Sequence, residues 1–250
     1  MKILDKPRSS PVQPPQTGES RVDHQSPHVM LDEVVDIAAG RTHSDDPVTP
    51  GTGGPAGNAQ LTAWLGLTLL VLFLAQLVTL LDVRGHISWH LTLGLLLVPP
   101  SLAKTATTTW RMVRYYTGVR VYQQAGPPPL LLRMLGPLVI LSTLALLGTG
   151  VMVLAVGPTV DTRPLLTALG QPISPLTLHQ AAFFVWAIAT GLHVLARFIP
   201  AVHLAATSTR SGLRLPGLGR RIAVVVATGA LAVLVAIAGL SLSTAWTPGS

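Results

Sequence analysis

From Leu176 to Pro200 the chain reads LTLHQAAFFVWAIATGLHVLARFIP. A run of this length and apolarity crosses a bilayer core as one helix. Apart from Gln180, its only strongly polar side chains before Arg197 are His179 and His193. They lie fourteen residues apart. At ~1.5 Å rise and ~3.6 residues per turn, that is roughly 21 Å and just under four turns. Both imidazoles therefore point nearly the same way, one near each end of the membrane. Ionisable side chains are expensive in hydrocarbon, so they mark function by default.

Four further runs resemble this one in apolarity. Span 1 is read over Leu61–Val83, span 2 over Ile87–Thr109, span 3 over Met134–Val156 and span 5 over Ile222–Leu242, with Leu176–Pro200 as span 4. The expected fold is an all-α integral membrane bundle of five transmembrane helices. Composition agrees, with 49% hydrophobic and only 11% charged residues. Four organisational units follow: a polar tail over 1–60, a four-helix membrane domain over 61–200, a basic link over 201–221, and a fifth span with its tail over 222–250. The tail is rich in Pro and Gly and too polar to offset ordering entropy, so it is expected to be disordered. Within it, Val29–Gly40 is amphipathic enough for a short helix on a partner or the membrane surface. His24, His28 and His43 are too scattered for a metal site, and no apolar core follows the N-terminal basic residues as in a signal peptide.

The net charge is +7, but its placement argues against nucleic acid. The first 60 residues hold five basic and eight acidic residues; the other 190 hold twelve basic and two acidic ones, Asp82 and Asp161. Ten of those twelve lie in, or at the edges of, the link between spans 2 and 3 and the link after span 4. The positive-inside bias then puts the N-terminus in the cytoplasm and the C-terminus outside a plasma membrane. The stretch from Trp110 to Tyr122 interleaves aromatic and Arg residues, as an interfacial belt does. With no cysteine, the chain has no disulfide, iron–sulfur cluster or thioether-bound haem.

In this topology spans 2 and 4 are parallel. His90 and His179 each lie about three residues into their span, at matched depth near the outer face. Two imidazoles so placed can clamp one haem iron, and bis-His ligation suits electron transfer better than oxygen binding. Gly94, one turn below His90, leaves room for a macrocycle, as do Gly148 and Gly150 on span 3. His86 is a rival to His90, nearer water. At the inner face His193 is matched in depth by Lys104, fourteen residues after His90. Lys104 can snorkel to headgroups, pair with a haem propionate, or act as an unusual ligand. His203 is a candidate sixth ligand there if the helix outlasts Pro200, an awkward requirement. The plainer reading of each histidine is a hydrogen bond between helices.

The segments HLTLGLLLVPPSLAKTATTTWRMVRYYTG, GPPPLLLRMLGPLVILSTLALLGTG and LHQAAFFVWAIATGLHVLARF resemble actinobacterial membrane proteins of the cytochrome b type. More broadly they look like four-helix b-type cytochromes, including cytochrome b561-like subunits and the N-terminal part of respiratory cytochrome b. The resemblance covers about residues 61–200, and the helix with His179 and His193 is its most specific motif. It implies haem b between helices, one or two per chain, and electron transfer with quinones or a partner oxidoreductase, molybdopterin-dependent in similar proteins. Lys104 stands where the full di-haem pattern has a histidine, so His90 and His179 carry over as the better pair. The expected function is a b-type electron-transfer subunit of an oxidoreductase, not an enzyme alone, since no nucleophile or acid–base pair is visible. A haem-free anchor or assembly subunit and a small-substrate transporter using Lys104 and Pro99–Pro100 are the rivals.

Overall fold

The computed structural model describes residues 46–126, 130–162, 164–168, 170–210, 215–243 and Trp246. The described residues are mostly helical (82%). Helix α1 spans Gly54–Thr79 and is followed by one 3-10 turn, Leu80–Asp82. Helix α2 spans Ile87–Tyr116, the short α3 Arg120–Gln124, and α4 Leu130–Val156. A 3-10 turn, Pro158–Thr162, leads to a hairpin in which β1 (Leu166–Ala168) pairs antiparallel with β2 (Gln171–Ile173). Helix α5 spans Pro175–Arg210 and α6 Leu218–Ser243.

Among the described residues, four helical segments are long and apolar enough to cross a membrane: Gly54–Asp82, Arg133–Val156, Pro175–Ile199 and Leu218–Leu240. Only 17–28% of each is buried inside the protein. Large apolar side chains such as Val71, Leu141, Ile188 and Leu234 point outward. In water so much exposed apolar surface would drive association; lipid is the solvent that suits it. Helix α2 stands apart because Lys104, Arg111, Arg114 and a run of Thr dilute its hydropathy, although at 30 residues it is longer than α1. A count of five spans therefore goes further than hydropathy along these helices.

The packing order around the bundle is α1, α2, α4, α5 and back to α1, with α6 laid against α2. Side-chain pairs fix the directions. Asn58 and Thr62 at the start of α1 bond Thr107 near the end of α2, while Gln76 near the end of α1 meets His90 at the start of α2. These two helices are antiparallel, and α5 runs with α2. Gly239 of α6 lies directly against Leu95, and a Cβ there would collide with the leucine. Mid-bundle, Trp186 is 4% exposed and packs on Phe73, with ring centroids 4.6 Å apart, and on Phe183 at 6.1 Å.

Several boundaries differ from the sequence reading. Helix α1 begins at Gly54, seven residues ahead of Leu61, because Pro55 sits in the first turn, where its missing N–H costs nothing. The described chain extends further back to Asp46, and α1 covers 54–60 of the expected tail; residues 1–45, with Val29–Gly40, His24, His28 and His43, lie outside the described residues. Arg111 holds Asp46 through two hydrogen bonds of 2.7 and 3.0 Å. Arg221, 4% exposed, donates to the carbonyl oxygens of Thr52, Pro216 and Leu215 at 3.2, 2.8 and 3.0 Å. Gly53, at φ 79°, leaves room for that guanidinium: a Cβ would sit 2.9 Å from it. Helix α5 passes through Pro200 to Arg210, so the helical part of this stretch outlasts the expected end by ten residues and takes up half of the expected 201–221 link. One proline removes a single ladder bond, which the turns on either side outweigh. Pro99 and Pro100 likewise sit inside α2, buried.

Candidate functional site

Helix α2 delivers His90 and α5 delivers His179 to one level of the bundle. Their ring centroids are 6.5 Å apart with planes at 85°. Both side chains are half-buried. Each ring is fixed by a neighbouring helix. On the His90 side, Thr79 Oγ1 donates its own proton to Gln76 O at 2.6 Å and lies 2.9 Å from His90 Nδ1. With its proton committed, that hydroxyl can accept from Nδ1–H, whereas the Gln76 amide nitrogen at 3.0 Å would donate to the same atom. On the His179 side, Nδ1 lies 3.2 Å from Leu146 O, which can only accept, and 3.2 Å from Thr149 Oγ1. The threonine proton goes to the carbonyls of Ala145 and Leu146 at 2.7 and 3.0 Å.

His179 is thereby set as the Nδ1–H tautomer, and Thr79 offers His90 an acceptor for the same one. The other nitrogen, Nε2, keeps its lone pair, which is the arrangement metal-ligating histidines use. The separation fits as well. A metal–imidazole bond of about 2.0–2.1 Å on each side, plus the ring radius, puts two centroids about 6.2–6.6 Å apart across one ion. One contact stands in the way: the Gln76 amide nitrogen lies 3.0 Å from His90 Nδ1 and 3.3 Å from Nε2 while donating to His90 O at 3.1 Å. Ligation through His90 Nε2 requires the amide to move off that edge. Gly150 passes beside the His179 ring, where a Cβ would stand 3.1 Å from Cε1. Gly94 faces Gln76 instead, at 3.8 Å from its Cβ position. Between α2 and α4 an apolar groove of about 310 Å³ is lined by Val98, Leu102, Leu144, Leu147, Gly148 and Val151.

His86 is exposed in the turn before α2, with Nδ1 3.0 Å from Asp82 O, and does not join this pair. His193 and Lys104 lie near the opposite end. Lys104 Nζ donates to Thr62 O at 3.2 Å, while His193 Nδ1 is buried without a partner. His203 lies on the extension of α5; its side chain is outside the described residues. Among the described residues, no three His, Asp or Glu gather into a metal cluster. Sequence reasoning pointed to the histidines and the span-3 glycines but not to Gln76, Thr79 and Thr149 as ring partners, or to the Leu146 carbonyl.

Comparison with known proteins adds no identification: no family model, curated protein or solved structure matches the chain.

Proposed function

We propose that this chain is a membrane b-type cytochrome subunit in which His90 and His179 hold one haem b between α2 and α5. The observation that carries this is the pairing of two imidazoles from separate helices at 6.5 Å, His179 as the Nδ1–H tautomer and His90 with the Thr79 hydroxyl as an acceptor at Nδ1. When bound, the haem would supply reversible one-electron chemistry between the quinone pool and a partner oxidoreductase. The protein's part is to orient the rings through Thr79, Thr149 and Leu146, to exclude water with apolar walls, and to tune ligand basicity through the Nδ1 bonds.

In this proposal α2 crosses the membrane beside the four more apolar helices, making five spans. The basic residues of the inner links place the N-terminus in the cytoplasm and the C-terminus outside the plasma membrane. His193 and Lys104 do not form a second bis-ligand site in this reading. Lys104 donates a proton to a carbonyl, and an ammonium has no lone pair for iron.

The test is a reduced-minus-oxidised absorbance spectrum of the purified protein, with haem measured per chain. One haem b, lost in His90→Ala and in His179→Ala but kept in His86→Ala, is expected. Haem-free protein after expression with ample haem would overturn the proposal and favour an anchor or assembly role. Two haems would give His193 a ligand's part.

A further inference from the structure

The end of the bundle away from His90 and His179 carries a charge imbalance that the haem reading does not use. Lys104 of α2 lies at the level of His193 on the parallel α5, Arg197 follows His193 by one helical turn, and each cation acts electrostatically on that imidazole. Arg197 also acts on Lys104. The Lys104 ammonium has three donors, and its one hydrogen-bond partner is the neutral carbonyl of Thr62 at 3.2 Å. Space for it is built in: a Cβ at Gly66 would stand 2.9 Å from Nζ. His193 Nδ1 is buried with no partner.

Among the described residues counter-charge is short. Beyond Asp46 the sequence has only Asp82 and Asp161. Asp82 follows α1 and Asp161 lies in the turn after α4, both at the His90 and His179 end. Asp82 and Lys104 are separated by about 33 Å if α2 and its approach are taken at helical rise. Asp46 is at the correct end, but both its oxygens are engaged by Arg111. Lys104 and the orphaned imidazole are half-buried, while Arg197 is exposed and feels Asp46 as well as Arg111. A cation with no paired carboxylate beside an orphaned imidazole is costly inside a membrane. A bound anion would remove that cost and complete the hydrogen bonds of both side chains.

We propose that Lys104, His193 and Arg197 form an anion-binding site that takes one phosphate group. Lys104 and Arg197 supply charge-assisted donors, and His193 fills the third position. The phosphate can belong to a lipid headgroup or be free in solution. The site does not rest on haem at His90 and His179, which is almost four helical turns away along either helix.

Thermal unfolding of the purified full-length chain tests this, with phosphatidylglycerol, inorganic phosphate, or phosphatidylcholine as the probe. Phosphatidylglycerol is expected to raise the midpoint saturably, and phosphatidylcholine is not. Lys104→Met and Arg197→Gln should each weaken the apparent affinity about tenfold or more. Arg220→Gln, an exposed charge on α6, should leave it unchanged. Without anion, Lys104→Met should unfold no earlier than wild type, because it removes an unpaired charge; this separates a lost site from a lost fold. A response to inorganic phosphate as well assigns a free anion, and a response to phosphatidylglycerol alone assigns a headgroup. No saturable response to either, or equal responses in wild type, Lys104→Met and Arg197→Gln, would overturn the proposal.

Discussion

Gly148 and Gly150 stand half a turn apart on α4, and replacing each by alanine should have opposite effects. Alanine gains about 1 kcal/mol over glycine in a helix interior from propensity alone. Around Gly148 a new Cβ meets nothing within 4 Å. Gly148→Ala should therefore keep most of that gain, about 0.5–1 kcal/mol. At Gly150 the Cβ would stand 3.1 Å from His179 Cε1 and 3.5 Å from Nδ1. Carbon atoms in good contact sit about 3.5–4.0 Å apart, so the ring must retreat by a few tenths of an ångström. It has little slack. Its Nδ1 bonds to Leu146 O and Thr149 Oγ1 are both 3.2 Å, at the long end of the useful range. Overpacking of this kind costs about 1–3 kcal/mol. Gly150→Ala should then be neutral to about 2 kcal/mol destabilising, and the two variants should differ by about 1–3 kcal/mol. Reversible unfolding in mixed micelles measures both. If Gly150→Ala proves as stable as Gly148→Ala, or more so, the His179 ring is not held as described.

Thr79→Val removes the acceptor for His90 Nδ1–H and should cost about 0.5–1.5 kcal/mol in the same assay. With haem bound, the less basic imidazole should favour the reduced iron, raising the midpoint potential on the order of tens of mV in a redox titration. Arg221→Met strips a charged donor from the carbonyls of Thr52, Pro216 and Leu215. It should destabilise by about 1.5–3 kcal/mol and speed limited proteolysis between residues 46 and 53.

The helices were legible because apolar runs have few ways to end. Basic residues, Gly and Pro bracket each run, and the largest differences lie near prolines, at the start of α1 and at the end of α5. Pro55 starts α1, and Pro200 sits inside α5. The facing of His90 and His179 was legible from counting residues into two parallel spans. Their hydrogen-bond partners were not. Whether Thr79 or Thr149 reaches a ring depends on helix rotation, and several other threonines on these helices carry the same sequence signal. Asp46 and Arg111 are 65 residues apart, with only formal charge to suggest the pair. Helix α2 was placed by its neighbours more than by its own hydropathy, which its Lys, Arg and Thr residues dilute.

Trp186, tilted against Phe73 and flanked by Phe183, fills the interior midway between the two polar levels. Most of the material between those levels is hydrocarbon, which screens charge poorly. A charge placed at one end of the bundle would therefore be felt at the other as a field.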